Sequence, residues 1–250
     1  MTDAKFQYLL RLGDNALVLS QQLGAWCGHG PALEEDLALT NVALDLLGQS
    51  RLWLTYAGEV EGRGRDEDAL AYLRDCGDFR NLLLVERPNG NYGDTLMRQF
   101  LFDAWHQHLL AGLGQSTDPR IAEIAQKAAK EVRYHVQRSA ALVIALGDGT
   151  PQSHDRMQAA LELLWPYTQE WFDSDPVDAW CAEQGLAPAA PALAAPWRAS
   201  VEAVLARATL EMPAYVGHQK GGRQGLHTEQ LGHLLSELQF VQRAYPAAQW

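Results

Sequence analysis

A helical repeat of apolar and small side chains runs through most of the chain and is clearest between residues 118 and 147. Its seam positions fall alternately four and three residues apart, which is typical of a packed helix. Asp118 is a good N-cap residue and Pro119 fits the first helical turn. We therefore predict a helix from Asp118 to Gly147 with the seam Ile121, Ala125, Ala128, Val132, His135, Ser139, Leu142 and Leu146.

The same spacing predicts helices along the rest of the chain. A first helix carries Leu9, Leu12, Ala16, Leu19 and Leu23 and ends near Gly24. The second begins after Pro31, fades at Gly58 and has the stripe Leu33, Leu37, Leu44, Leu47 and Leu54. A short helix is predicted for 69–73, and longer ones are predicted to begin at Asp94, Ser153, Trp197 and Leu226.

Three stretches lack this repeat. Residues 79–86 are apolar but have no strand partner in the sequence, so we predict a buried loop or helical turn. Residues 174–196 contain the run LAPAAPALAAP, whose composition predicts an extended surface linker. Residues 213–225 contain GGRQG, which lacks the Lys-Ser/Thr of a phosphate-binding loop and is interpreted as a flexible contact loop. Pro166 is predicted to kink the helix that begins at Ser153.

Four long amphipathic helices with additional helices define the fold class as an all-α helical bundle. No stretch shows the period of two that is typical of β-strands. We predict a single domain over residues 1–250, with the core bundle in about 5–173 and extra helices and loops in 174–250.

Composition narrows the possible partners and the compartment. The formal net charge is −11 and the sequence has no long basic run, so we expect neither nucleic acid nor an anionic membrane as a partner. The three cysteines are widely spaced, which indicates free thiols in a reducing cytoplasm. The first residues do not form a signal segment and no apolar stretch reaches about 18 residues. We expect a soluble, cytoplasmic protein.

Asp103 and His135 are the two residues on predicted seams that could carry metal chemistry. Di-iron carboxylate bundles use one carboxylate on each of two helices and Glu-x-x-His on each of two others. Here Val132 stands three residues before His135, and a valine cannot bind a metal. The first two helices offer no carboxylate on their stripes. The pattern of a full di-iron site is therefore broken.

Three interpretations of these residues remain open. Asp103 and His135 could bond to each other or to water as a buried polar pair. They could bind a single ion. They could also belong to a metal site with an unusual ligand set, formed by Asp45, Asp103, His106, Glu131 and His135, although His106 is predicted to point away from the stripe that holds Asp103.

Several blocks of the sequence resemble one family. The chain is similar to the C subunits of ring-1,2-phenylacetyl-CoA epoxidase, also called phenylacetate-CoA oxygenase, a bacterial multicomponent monooxygenase. The resemblance spans essentially the whole chain and rests on RLGDNALVLSQQLGAWCGHGPALEEDLALTNVALDLLGQSR, NLLLVERPNGNYGDT, LFDAWH, KEVRYH, GGRQGLHTEQLG and the terminal Trp250.

The resemblance implies a ferritin-like bundle and a set of partners. A homologous catalytic A subunit would carry the di-iron site and activate O2 to epoxidise the ring of phenylacetyl-CoA. A small bridging B subunit and a reductase with NADPH, flavin and iron–sulfur groups would complete the complex. This chain itself would hold no cofactor.

The resemblance also implies where the site residues fall. The ligand positions of the catalytic subunit correspond to Leu19, Leu47, Ser50, Asp103, Val132 and His135, so four of the six are not ligands. Asp103 and His135 would be the remnants of a degenerate site, with no catalytic and no metal-binding residue in this chain. The resemblance further implies that seven residues lie near the acyl-CoA, namely Asp78, Phe79, Arg80, Asn81, Ala179, Trp180 and Cys181.

We therefore expect a structural, non-catalytic oxygenase subunit. Two other functions stay open at this point. One is a di-iron or di-manganese oxidoreductase that is active in its own right. The other is a free-standing helical binding module.

Overall fold

A computed structural model describes residues 2–214 and 217–246 of the chain. Among these residues no β-strand occurs. The prediction of an all-α, ferritin-like helical protein is confirmed. The described α-helices, named α1 to α9 in chain order, span Thr2–Gly24, Leu33–Glu61, Glu67–Tyr72, Tyr92–Leu113, Pro119–Gly147, Pro151–Leu164, Pro176–Glu183, Ala194–Arg207 and Glu229–Ala244.

The helices belong to two compact units. Unit 1 comprises Met1–Pro88 and Lys220–Trp250, and unit 2 comprises Asn89–Gln219. In unit 1, α1 packs along α2, while α3 and α9 lie against each other. In unit 2, α4 packs against α5, α6 and α8. The single-domain organisation that the sequence predicts stays a prediction.

Four tryptophans build part of the unit 2 core. Trp165 and Trp197 stack with ring centroids 5.4 Å apart, and Trp171 meets Trp197 edge-on at 5.5 Å. Trp105 lies 5.5 Å from Trp171. All four are buried and contribute large apolar surfaces to this core.

The cap of α5 follows the prediction, whereas α4 and α6 are each capped three residues earlier than predicted. Asp118 caps α5 and accepts from the backbone N–H groups of Arg120 and Ile121 at 2.9 and 3.2 Å. The sequence predicts Asp94 as the cap of α4, but Asn91 takes that place and Asp94 closes the capping box from the third helical position. Thr150, rather than Ser153, likewise caps α6.

The buried face of α5 differs from the predicted seam at its C-terminal end. The predicted seam residues from Ile121 to Ser139 are all buried. Beyond them Val143 and Gly147 are buried, whereas Leu142 and Leu146 are partly exposed. A straight helix has 3.6 residues per turn, so its buried face drifts away from a strict seven-residue repeat.

The predicted stripe of α2 is wrong as a core face. Leu33, Leu37, Leu44 and Leu47 are 72%, 56%, 60% and 41% exposed, and only Leu54 is buried. The buried face instead carries Leu39, Val42, Ala43, Leu46, Gln49, Ser50, Trp53, Leu54, Ala57 and Gly58. Helix α2 therefore has two apolar faces, and the chain itself covers one of them.

The structure differs from the sequence prediction at Pro166 and in residues 174–196. Pro166 ends α6 and starts a 3-10 turn at Trp165–Tyr167, so it terminates the helix rather than kinking it. Residues 174–196 are not an extended linker, because they form α7, a 3-10 turn at Ala190–Leu193 and the start of α8. Cys181 and Leu193 anchor this stretch because both are buried.

The GGRQG loop is closely packed rather than flexible. A Cβ atom on Gly222 would lie 2.1 Å from the carbonyl oxygen of Asn81, so only glycine fits there. Residues 79–86 are largely buried as predicted and end in a 3-10 turn at Leu83–Glu86.

Candidate functional site

Asp103 on α4 is the centre of a buried polar cluster in unit 2. None of its side chain is exposed. Its carboxylate accepts hydrogen bonds from Gln99 Nε2 at 2.6 Å and from Ser139 Oγ at 2.9 Å. Burial raises the pKa of Asp103 to about 6, although the charge of His135 and these two hydrogen bonds lower it. The carboxyl group is therefore held by two neutral hydrogen-bond donors.

Two histidines accompany Asp103. His135 is 1% exposed on α5, as the seam predicts. The sequence predicts that His106 points away from the stripe of Asp103, but His106 is also buried because α4 is enclosed on all sides over this stretch. Burial, and then the charge of His135, lower the pKa of His106 to about 3. His106 is consequently a neutral imidazole at physiological pH.

The donors in this part of unit 2 do not fit a pair of metal ions. Val132 is completely buried one turn before His135 and offers no donor. In residues 2–214 and 217–246, no three His, Cys, Asp or Glu side chains are grouped so that they could hold a metal ion. Of the alternative ligand set, Asp45 and Glu131 are only partly buried.

The remaining ligand-equivalent positions lie in unit 1. Leu19 is completely buried on α1, and Ser50 is 1% exposed on α2. Leu47, one turn before Ser50, is 41% exposed. These positions carry two leucines and one hydroxyl, none of which replaces a carboxylate or imidazole ligand.

Residues 78–81, which the family places near the acyl-CoA, form a connection in unit 1. Asp78 is exposed and Arg80 half-buried, whereas Phe79 and Asn81 are buried. The guanidinium of Arg74 covers the Phe79 ring at 4.3 Å, and the Asn81 amide donates to Glu86 at 3.0 Å. Asp78 and Arg80 are therefore the accessible members of this group.

Residues 179–181 lie on α7 in unit 2. Ala179 is exposed, Trp180 is half-buried, and Cys181 is completely buried. The thiol of Cys181 therefore belongs to the packing of unit 2. That either group lies near an acyl-CoA stays a prediction.

A buried pair in unit 1 is missing from the sequence-based expectations. Glu86 and His227 are both enclosed, and His227 Nδ1 lies 2.8 Å from Glu86 Oε2. The other carboxylate oxygen of Glu86 accepts from the backbone N–H of Thr228 at 2.7 Å. The sequence predicts a helix start close to Thr228, but 141 residues separate the pair and no local pattern joins them.

Comparison with known proteins identifies the class of this helical chain. The model of the family described as phenylacetic acid catabolic protein matches residues 1–250. The chain therefore belongs to the phenylacetic acid catabolic protein family.

One similar protein narrows this comparison to a particular subunit. The chain is 52% identical to the C subunit of the 1,2-phenylacetyl-CoA epoxidase of Escherichia coli (strain K12) over 243 residues, which cover 97% of this chain and 98% of the relative. The resemblance seen in the sequence blocks is thus confirmed. Trp250, which belongs to those blocks, lies outside the described residues. Within the part of the chain that the structure describes, no helix has the length and apolar character needed to cross a membrane.

Proposed function

We propose that this chain is a structural, non-catalytic subunit of the cytoplasmic multicomponent monooxygenase that epoxidises the aromatic ring of phenylacetyl-CoA. Its direct partner would be the homologous di-iron A subunit, with a bridging B subunit and an NADPH-dependent reductase that contains flavin and iron–sulfur groups. The relative's name and the family support the enzyme system. One observation supports the non-catalytic role: a buried valine, Val132, stands where a Glu-x-x-His ligand would be needed.

The exposed leucine face of α2 is the surface through which such a chain would support its partner. Leu33, Leu37, Leu44 and Leu47 are exposed at spacings of four, seven and three residues, which places them on one heptad seam with Thr40 at the position between Leu37 and Leu44. Solvent-exposed seams of this kind are typical of helices that pack against another chain. Packing of this face against a helix of the di-iron partner would remove the leucine side chains from water.

Co-expression with a homologous chain that carries intact Glu and Glu-x-x-His motifs tests this role. We compare the wild type with the double variant Leu37→Gln/Leu44→Gln, and with Leu163→Gln as the control. Leu163 is 53% exposed on α6 and lies outside the α2 seam. Burial of two leucines contributes about 3 kcal/mol or more, so we expect the double variant to co-purify at least about tenfold less.

The double variant should stay folded because both leucines are exposed in the chain alone. Equal co-purification of the wild type and the double variant would refute the α2 interface. Failure of the wild type to recover any homologous chain would instead favour a free-standing binding module.

Activity of the assembled complex tests the non-catalytic role separately. An Asp103→Asn chain keeps the size of the side chain and an acceptor oxygen for Gln99, while its amide NH2 faces the hydroxyl of Ser139, which can accept a hydrogen bond. We expect the complex that contains it to consume O2 with phenylacetyl-CoA at the wild-type rate. Loss of that activity in a fully assembled complex would support an oxidoreductase active in its own right.

A further inference from the structure

A cleft between α2 and α3 in unit 1 lies next to the exposed leucine seam of α2. Its volume is about 490 Å³. Leu17 and Leu54, both buried, form part of its apolar lining. Leu44 and Leu47 of the seam also line it, and they are 60% and 41% exposed. The cleft is therefore continuous with the surface through which the chain is proposed to meet its di-iron partner.

Gly48 lies in the middle of α2 and also lines this cleft. A glycine inside a helix is destabilising relative to alanine, so it calls for a reason. Gly13 and Gly58 have one within the chain, because their added Cβ atoms would lie 2.6 Å from Leu54 Cδ2 and 2.1 Å from the Arg65 carbonyl oxygen. A Cβ atom on Gly48 would meet no atom of the described residues within 4 Å. Close approach of a second chain would explain this glycine.

Three polar side chains of the lining have unused hydrogen-bonding capacity. Ser50 on α2 is 1% exposed, and its hydroxyl forms no hydrogen bond within residues 2–214 and 217–246. The hydroxyl of Tyr72 and the carboxylate of Asp68, both on α3, likewise have no hydrogen-bond partner in that part of the chain. Buried polar groups are normally paired, so these three groups indicate an occupant that supplies hydrogen-bond donors.

The cleft carries a net negative charge. Its charged lining residues are Arg51, Glu67 and Asp68. Arg51 Nε donates to Glu67 at 3.3 Å, so these two charges compensate each other and the charge of Asp68 remains. Burial, and then the charge of Asp68, raise the pKa of Tyr72, so the carboxylate acts on the same part of the cleft as the Tyr72 hydroxyl. A cationic group in the cleft would offset the charge of Asp68.

We propose that the cleft receives an arginine side chain from a helix of the partner that packs over Gly48. The leucines would cover the apolar stem of the arginine, and its guanidinium would donate to Asp68, Ser50 and Tyr72. Arginine fits this site better than lysine, because its planar group has more donors, is more weakly hydrated and is enriched at protein interfaces. The proposal rests on the proposed function, since it takes the homologous di-iron chain as the partner.

Titration calorimetry of the two separately purified full chains tests the proposal, with Gly48→Leu as the main variant. Leucine favours a helix more than glycine does and here meets open space, so urea unfolding should show no loss of stability. The added side chain occupies the place of the arginine, so we expect the dissociation constant of the pair to rise about tenfold or more. Gly232→Leu is the matched control, because Gly232 lies on α9 outside the cleft and its added Cβ atom also has no described atom within 4 Å. It should leave the dissociation constant unchanged.

Asp68→Asn tests the charge of the occupant. The change keeps the size of the side chain and should raise the dissociation constant about tenfold at low salt. Added salt should weaken the wild-type pair more than the variant pair, because it screens the charge of Asp68. Asp155→Asn, the same change at an exposed position of α6, should have no effect. Weak binding by Gly48→Leu together with unchanged binding by Asp68→Asn would indicate an apolar occupant and overturn the proposal.

A double-mutant cycle identifies the side chain of the partner. When the surface arginines of the partner are replaced by glutamine one at a time, one replacement should match the effect of Asp68→Asn and add nothing to it. The absence of such an arginine would overturn the proposal. Wild-type chains that do not bind each other would overturn the proposed function as well. Wild-type binding that neither Gly48→Leu nor Asp68→Asn weakens would contradict the cleft alone.

Discussion

Val132 determines what His135 can do. Both side chains are buried on α5, three residues apart, so they lie on one face of the helix. A glutamate at position 132 would supply a second donor beside the imidazole, whereas the valine supplies only apolar surface. The face is therefore suited to packing, and the carboxylate of Asp103 accepts hydrogen bonds from Gln99 and Ser139.

The packing role of Val132 predicts a stability effect. Val132→Ala removes buried carbon atoms and leaves a cavity, so we expect the free energy of unfolding to fall by about 2 kcal/mol, between the effects of Ile→Val and Leu→Ala changes. Val136→Ala is the control, because Val136 lies one turn further on α5 and is only partly buried. Urea unfolding of both variants measures the difference. Equal losses in the two variants would show that Val132 is not a core residue.

Asp103 predicts a defined pH dependence. Its pKa is raised from 3.8 to about 6 in the folded chain, so the folded state holds the proton more tightly than the unfolded state. Stability from this group is present below about pH 4 and is lost as the pH rises through about 6. Relative to Asp103→Asn, the wild type should therefore lose about 2 kcal/mol of unfolding free energy between pH 4 and pH 8.

Comparison of the wild type with Asp103→Asn separates the effect of the Asp103 titration on stability from that of its neighbour His106. The pKa of His106 is lowered to about 3, so its stability contribution is present above pH 6.5 and lost as the pH falls. That contribution has the opposite sign and occurs in both the wild type and Asp103→Asn. A difference between the chains that is constant over this pH range would contradict the raised pKa of Asp103.

Helix α9 is held at its start by a single carboxylate. Glu86 pairs with His227 and accepts from the Thr228 backbone. Burial lowers the pKa of His227, but the hydrogen bonds to Glu86 and to the Phe79 carbonyl raise it overall. This pair therefore stabilises the fold below about pH 6.5, and its contribution is lost as the pH rises through the folded pKa of His227.

Replacing the carboxylate should loosen the start of α9. Glu86→Gln removes the charge and turns an amide toward donors such as Asn81, so we expect a cost of roughly 1–3 kcal/mol. Hydrogen exchange of the first α9 amides should become about tenfold faster. Glu237→Gln, the same change at an exposed position of α9, should leave exchange unchanged. Unaltered protection in Glu86→Gln would show that other contacts hold the helix.

The sequence predicts the long helices well but not which apolar face each one buries. Local spacing correctly predicts the α5 start at Asp118 and the central seam through His135. It could not show that Leu37 and Leu44 are exposed, because α2 carries apolar residues on two faces and spacing is the same on both. The Ala/Pro-rich composition of 174–196 is misleading, since short helices and 3-10 turns tolerate proline at their starts.

Part of the candidate site can be predicted from the spacing of residues along single helices, and part of it cannot. Asp103 and His135 lie on periodic seams, so their burial follows from spacing. The partners of Asp103 and the burial of His106 depend on how several helices enclose α4, which spacing on one helix does not encode. The Glu86–His227 pair joins residues from distant parts of the chain, so no local pattern signals it.

The properties of the whole molecule agree with a protein that works in a complex. The exposed seam of α2 is apolar, whereas the chain as a whole is strongly acidic. Net charge of this size keeps a chain in solution, while a continuous apolar face favours a specific partner. The buried cluster around Asp103 contributes packing and hydrogen bonds to unit 2, and under the proposed function the reaction would belong to the partner.

Metal content per chain tests this account most directly. We would purify the chain alone and in its complex with the homologous di-iron partner, and determine iron and manganese by mass spectrometry against protein concentration. The account predicts no stoichiometric metal in the isolated chain, and iron in the complex only in proportion to the homologous partner. Two iron or manganese ions per isolated chain would contradict it.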